Sequence, residues 1–295
     1  MNFPLFNFKG FSSLIRYQNP KTSIIIFDEI SKYLQIWNLA GDRKKHFHEF
    51  NDEMKHGSFS SVSLGNSIYV LTEQSLYLLE YDEAAPKWQR VNYIDGRHGS
   101  EPPAVAISGS IYVVGTAGST EQNKSVSKYD PSSNGWERLE DKNMKTKDST
   151  IVASKEFIYS IGGDVEGVGA TDRVERLNII TQTWDGIAPL IERRTHSSGA
   201  GYNEKIIVAG GMNHTMECLS SIEEYDPDVN QWTIISSNMQ QRWSFRLHLL
   251  DGNIVVVGGD TERRNIDVYD SSNDRWSIID LGSDVWICES VKMTT

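Results

Sequence analysis

Only two cysteines, Cys218 and Cys288, occur in the 295 residues, too few for a disulfide framework and consistent with a reducing compartment. No apolar run approaches the roughly 18 residues that a membrane-spanning helix needs, so a soluble chain with no membrane partner is expected. Positive charge is scarce: 29 Lys and Arg stand against 40 Asp and Glu, a formal net charge of −11. That balance argues against general nucleic-acid binding, because neutralising phosphates takes a net basic surface. The N-terminus, MNFPLFNFKGFSSLIRY, has neither the basic n-region nor the sustained apolar h-region of a secretory signal, and a cytoplasmic location is expected. There is no G-x-S-x-G elbow and no phosphate-binding glycine loop. His46 and His48 would share one side of a strand, yet no carboxylate or cysteine stands at zinc-ligand spacing. The expectation is therefore a non-enzyme with no metal and no cofactor.

What the chain does have is a repeat. Tyr81, Tyr129, Leu177, Tyr225 and Tyr269 each stand seven residues before a tryptophan, at Trp88, Trp136, Trp184, Trp232 and Trp276. The stretch Ile222 to Trp232, IEEYDPDVNQW, shows the logic: an alternating strand ends in Tyr, Asp-Pro opens a type I turn, and Asn before the next strand tolerates the left-handed conformation. Upstream, FIYSIGG, KIIVAGG and NIVVVGG put paired glycines after a continuous apolar run. Such a run suits a strand covered on both faces, and glycine permits close backbone approach. One unit reads as four short strands of the length expected for a propeller blade.

Taken in order, residues 1–22 form an N-terminal segment or linker, and 23–293 form one domain of six units. Unit one is degenerate, with SIIIF and YLQIWN in place of the apolar and Tyr-Asp strands and Phe27-Asp28 in place of the glycine pair. Unit two also lacks the pair, and the short link from Leu71-Thr72 to Leu76 implies a tight connection. Unit three half-matches it with Gly115-Thr116. The tail DVWICESVKM resembles the first strand of a unit with no remainder. The expected fold is all-β, a six-bladed propeller of four-stranded antiparallel blades, its ring closed by that C-terminal strand, which also removes exposed sheet edges. Phe11–Tyr17, FSSLIRY, is the alternative closing strand.

These units resemble kelch repeats, in which a diglycine after an apolar strand is followed by Tyr-Asp and then Trp. The lead-ins to the first strands, Met239 to Arg242 and Pro189 to Arg194, are similar to those of BTB-kelch propellers. The resemblance implies a protein-interaction module: in that family the propeller captures a substrate while separate BTB and BACK domains, not found in this chain, bind a cullin-3 ubiquitin ligase. Actin binding, also held by kelch proteins, is the alternative partner, and a kelch-fold enzyme a third.

Basic lead-ins recur at equivalent places: Lys55-His56-Gly57-Ser58, Arg97-His98-Gly99-Ser100, Lys145 to Ser149, Arg193 to Ser197, and Arg242-Trp243-Ser244. Pseudo-symmetry converges them on one face, where an acidic protein or peptide ligand would meet Lys, Arg and Ser. The candidate ligand-binding residues are Arg97, Ser100, Lys145, Ser149, Arg194, Ser197, Arg242, Ser244 and Arg263, with Met212, Asp260 and Trp243 beside them. The alternative role of such arginines is to brace neighbouring blades by bonding backbone carbonyls and carboxylates. The ladder tryptophans are expected to pack blades together.

Overall fold

The computed structural model describes residues 22–28, 33–38, 43–44, 59–72, 75–80, 87–91, 102–116, 122–202, 204–250, 252–259, 264–281 and 287–294. Residues 1–21 of the N-terminal segment, Phe11–Tyr17 among them, and His46, His48 and Trp286 lie outside them. No helix among the described residues is long and apolar enough to cross a membrane.

The described strands form six four-stranded antiparallel sheets. Blade 1 contains β1 (Thr22–Asp28), β2 (Tyr33–Asn38) and β3 (Arg43–Lys44). Blade 2 is β4 (Phe59–Leu64), β5 (Ser67–Thr72), β6 (Leu76–Glu80) and β7 (Lys87–Val91). Blade 3 is β8 (Ala104–Ile107), β9 (Ser110–Val114), β10 (Val126–Asp130) and β11 (Gly135–Arg138). Blade 4 holds β12 (Thr150–Ser154) and β13 (Phe157–Ile161), then a small hairpin of β14 (Asp164–Val165) and β15 (Gly169–Ala170), then β16 (Val174–Asn178) and β17 (Thr183–Gly186). Blade 5 is β18 (Ser198–Tyr202), β19 (Lys205–Ala209), β20 (Ile222–Asp226) and β21 (Gln231–Ser236). Blade 6 is β22 (Arg246–Leu250), β23 (Asn253–Val257), β24 (Asn265–Asp270) and β25 (Arg275–Asp280).

The last strand, β26 (Ile287–Thr294), returns to pair antiparallel with β1 and becomes the innermost strand of blade 1. Closure thus follows the C-terminal strand, as the sequence implies. The inner strands β26, β4, β8, β12, β18 and β22 contact one another in turn around a central channel. Small residues allow that approach: a side chain on Gly201 of β18 would put its Cβ 2.6 Å from the carbonyl oxygen of Ala153 on β12.

The core is six separate apolar seams, each between two neighbouring blades. Ile25, Phe27 and Leu34 of blade 1 pack on Phe59, Ile68 and Val70 of blade 2. Ile207 and Ala209 of blade 5 pack on Leu247, Ile254 and Tyr269 of blade 6. The closing seam joins Ile24, Ile26 and Ile287 to Leu250, Val255, Val257 and Ile266. A second strand such as β23 therefore buries both faces, which is why its sequence is continuously apolar.

The Tyr-to-Trp ruler has a defined structural content. Tyr129, Tyr225 and Tyr269 donate their hydroxyls over 2.9 Å to Asn134, Asn230 and Asp274, which sit at φ 50°, 52° and 49°. Asp130, Asp226 and Asp270 accept the backbone N–H two residues on. Asn178 does the same for Ile180 at 2.8 Å, so the Leu-Asn variant of blade 4 keeps the turn while losing the tyrosine hydroxyl. The tryptophans reach back to the preceding blade-to-blade connection: the indole N–H groups of Trp184 and Trp232 donate to the carbonyl oxygens of Glu140 and Ala188, and that of Trp276 to Asn238 Oδ1. In blade 2 the tight link is closed by Thr72 N–H donating to the Ser75 carbonyl at 2.9 Å.

Because β26 completes blade 1 and covers Ile24 and Ile26, deleting residues 284–295 is expected to abolish the single cooperative thermal transition. Ile26→Ala is expected to keep that transition at a cost of about 2–5 kcal/mol. Thermal and urea unfolding followed by circular dichroism checks both.

Candidate ligand-binding face

Each blade's first strand starts, and its second strand ends, at the same end of the channel, so the lead-ins and the diglycine loops form one face. At that face the second glycine is held against the lead-in of its own blade. Gly163 has φ 99°, and a Cβ there would lie 2.6 Å from the Lys147 carbonyl oxygen.

The lead-in arginines turn inward. Arg194 is wholly buried; its Nη1 donates to the carbonyl oxygen of Gly210 at 2.9 Å, and its Nη2 donates to Ser221 Oγ at 3.0 Å and to Glu223 Oε1 at 2.5 Å. Its own carbonyl oxygen accepts the N–H of Gly163 at 2.8 Å. Arg242 repeats this one blade later: Nη1 donates to the Gly258 carbonyl oxygen at 3.1 Å, Nη2 pairs with Asp267, and its carbonyl accepts Gly211 N–H at 2.9 Å. Both are among the expected ligand-binding residues, and their burial puts them instead in the alternative, bracing role. Each guanidinium is occupied within its own blade, the backbone carbonyl of the same residue holds the second glycine of the blade before, and neither side chain reaches the surface.

Blade 4 uses different residues for the same brace. Thr146 stands where the others have arginine, and Lys142 supplies the cation, its Nζ donating to Thr146 Oγ1 at 2.8 Å and to Ser149 Oγ at 3.4 Å. Glu175 takes the place of Glu223, accepting the backbone N–H groups of Asn143 and Met144 at 3.0 and 3.1 Å, as Glu223 accepts those of Ile191 and Glu192. Burial lowers the Lys142 pKa to about 8 against the opposing pull of Glu175, and burial raises that of Glu175. Ser149, another candidate, is buried inside this brace.

The remaining candidates separate. Lys145 and Ser244 are exposed at the face and Ser197 is half-buried, its hydroxyl 2.7 Å from Thr150 Oγ1 of the neighbouring blade. Met212 is buried, held in bridges to Thr195 and Cys218, and Cys218 is a half-buried free thiol. Arg97, Ser100, Arg263 and Asp260 lie outside the described residues. Around the channel mouth, Asp148, His196 and Ser244 occupy equivalent positions at φ 50°, 52° and 52°. Their N–H groups donate in series to the carbonyls of Thr116, Asp148 and His196 at 2.9, 3.0 and 3.1 Å. His196 Nε2 lies 3.5 Å from Asp148 Oδ2, and the ring meets half-buried Trp243 edge-on at 5.3 Å.

With its two arginines withdrawn, the described face is mixed in sign. Exposed Lys145, Lys147 and Arg193 stand among Asp148, Asp172, Glu192 and Glu217, with Arg193 3.8 Å from Asp172. Below the mouth lies a channel cavity of about 350 Å³. Its polar wall includes Ser61, Arg246, His248, Ser290 and Lys292, none of which the repeat singles out. The available signal was a period of two, with Arg246 and His248 alternating with Leu247 and Leu249 on β22.

Removing one partner from a buried ion pair strands the other, so Arg194→Met is expected to cost about 3–5 kcal/mol, whereas adding Glu223→Leu to it should cost far less than the two single changes summed. Urea unfolding of the four proteins tests this. The folded state disfavours the Lys142 ammonium relative to the unfolded chain, so that penalty is complete below pH 8 and relieved as pH rises toward the ordinary value of 10.5. Wild type should therefore gain stability relative to Lys142→Met across that window, measured by urea unfolding at matched pH.

Comparison with known proteins accords with this geometry. Residues 62–293 match the Attractin/LZTR1 beta-propeller family. Mouse Kelch-like protein 36 is 26% identical over 236 residues, covering 75% of this chain and 37% of the mouse protein. Human Kelch-like protein 23 is 22% identical over 278 residues, covering 89% of this chain and 46% of the human protein. The chain spans less than half the length of these relatives. The apolar seams, diglycine contacts and tyrosine–tryptophan turns are those of a kelch propeller of the kind found in kelch-like proteins, a protein-interaction fold, and the chain belongs to the Attractin/LZTR1 β-propeller family.

Proposed function

We propose that this propeller captures a protein or peptide on the face formed by its lead-ins and diglycine loops, as the substrate-recognition part of a cytoplasmic cullin-3 ubiquitin ligase adaptor. The observation that carries the reading is the channel mouth. Left-handed Asp148, His196 and Ser244 are locked by serial backbone hydrogen bonds into a rigid rim, and loops on a rigid scaffold are where recognition is built. Trp243 offers an aromatic anchor on that rim, and Lys145 and Lys147 offer charge-assisted contacts to a carboxylate on the ligand. The kelch-like relatives support the adaptor setting, in which BTB and BACK domains would engage the cullin. Catalysis has no part in this reading.

The test is quantitative affinity capture from cells with the wild-type propeller and a Lys145→Glu, Lys147→Glu, Trp243→Ala variant, each first shown to unfold at the same temperature. Partners of the wild type should fall at least about tenfold with the variant, consistent with loss of a central anchor. Undiminished capture by a folded variant rules out this face. Co-sedimentation with filamentous actin, unaffected by the same three changes, would favour the cytoskeletal alternative.

A further inference from the structure

A second cleft opens on the outer side of the same face, beside blade 5. Its walls are Glu192 of the lead-in, residues of the diglycine loop between Asn213 and Ser221, Ile234 and Ser237 at the outer strand, and Gln241 of the next lead-in. It encloses about 670 Å³, a size at which protein clefts hold ligands. None of its lining residues borders the channel cavity.

One wall of the cleft is aliphatic where earlier blades are basic or bare. Ile234 stands opposite Glu223 in the sheet register, the place held by Arg90 in blade 2, Arg138 in blade 3 and Gly186 in blade 4; blade 6 repeats the isoleucine with Ile278. Arg138 is satisfied within its own blade, pairing with Asp141 at 2.9 Å. The bulge between Ile222 and Glu223 leaves Ile235 as the extra residue of β21, and Ile234 and Ile235 stay 39% and 37% exposed. Edge strands are ordinarily guarded by charge, so an aliphatic edge offers itself to a partner. The charge beside it is negative and unbalanced. Glu217 accepts Asn213 Nδ2 at 3.0 Å and Thr215 Oγ1 at 2.9 Å, both neutral, and pairs with no cation among the described residues. Those bonds, that of Asn213 first, hold its pKa below the ordinary carboxylate value, with a smaller pull from His214. Glu192 accepts the Ser221 hydroxyl and stands 3.6 Å from Arg194 Nη2, yet that guanidinium lies 2.5 Å from Glu223. One buried cation thus answers two carboxylates. Arg193, next along the lead-in, faces Asp172 at 3.8 Å, and among the described residues no lysine, arginine or histidine lines the cleft.

A cationic side chain on an aliphatic stem matches both features, its methylenes lying along Ile234 and Leu219 while its head pairs with the carboxylates. We propose that the cleft of blade 5 receives an arginine or lysine side chain of the captured protein partner. The inference rests on partner capture by this face and adds the partner's chemistry: a segment that brings a basic residue to blade 5 as well as an acidic group to the rim lysines. Charge complementarity of both signs fixes the direction in which such a segment crosses the face.

Cys218, a half-buried free thiol, also lines the cleft and serves as a reporter of occupancy. The experiment measures its alkylation by iodoacetamide, resolved by mass spectrometry, in the whole chain with and without a capped Gly-Ile-Arg-Ile-Gly peptide at up to millimolar concentration. The same peptide with citrulline in place of arginine, equal in shape and uncharged, is the control. Saturable slowing by the arginine peptide and none by the citrulline peptide is expected. Glu217→Gln should weaken the apparent affinity about two- to fivefold, the worth of an ion pair partly open to solvent. Ile234→Arg, which supplies the cation from the chain itself, should abolish the protection and reduce affinity capture of the partners that the rim variant loses. Both positions are exposed, and an unchanged Tm verifies each fold. No protection, equal protection by citrulline, protection untouched by both variants, or undiminished capture by Ile234→Arg overturns the proposal. The rim variant should keep full protection of Cys218, so failure of the cleft and failure of the rim are read separately.

Discussion

Everything in this molecule depends on the apolar contact between adjacent blades, and above all on the contact at ring closure. Each sheet is apolar on both faces and cannot bury them alone; it needs a neighbour on either side. In a row of six blades the two outer faces would stay wet, so the ring must close. The β1–β26 pairing completes blade 1 and lets Ile24, Ile26 and Ile287 meet Leu250, Val255 and Val257. Those groups come from opposite ends of the chain, and the loop-closure entropy of that contact is offset by a seam as apolar as the other five.

Hydrophobic seams are not directional, and the braces set the relative position of blades more finely. The guanidinium groups of Arg194 and Arg242 join the first-glycine carbonyl of their own blade to a carboxylate on its third strand, and their backbone carbonyls accept the second-glycine N–H of the blade before. The cost of burying such charges is offset by pairing each guanidinium with a carboxylate and a diglycine carbonyl, while Arg194 Nε and Asp267 Oδ1 have no hydrogen-bond partner among the described residues. Blade 4 shows that the brace is a constraint on charge and geometry and not on residue type. Lys142 enters from four residues before Thr146 and reaches the same region near Glu175, with Ser149 and Ser160 supplying the oxygens that a shorter donor set requires. Among the described residues the three blades with full diglycines carry this brace, and in blades 5 and 6 the lead-in arginine bonds the carbonyl oxygen of the first glycine directly.

With those cations withdrawn into the scaffold, recognition falls to what remains on the rim. The hydrogen-bonded series through Asp148, His196 and Ser244 holds the mouth in a conformation that non-glycine residues adopt only under tertiary constraint. The mouth is therefore preorganised, while loops such as β14–β15, whose tip carries exposed Val168, are free to vary without disturbing it.

The sequence by itself determined the blade count, the four-stranded unit and the turn chemistry, and favoured the C-terminal strand over Phe11–Tyr17 for closure, which the β1–β26 pairing decided. The first three rest on local rules: period-two burial, left-handed turn residues and continuous apolar runs repeat in phase and reinforce one another. The diglycines were legible as places of close approach, although what approached them was not. Only the tertiary structure decided which way the lead-in arginines point. A cation before a strand reads the same whether it faces solvent or a carboxylate such as Glu223, contributed by a strand about thirty residues away in sequence and adjacent only in the folded ring. For the channel groups the period of two on β22 showed only that Arg246 and His248 share a face; that Arg246 meets Glu289, 43 residues on, was decided by the return of β26 beside β22.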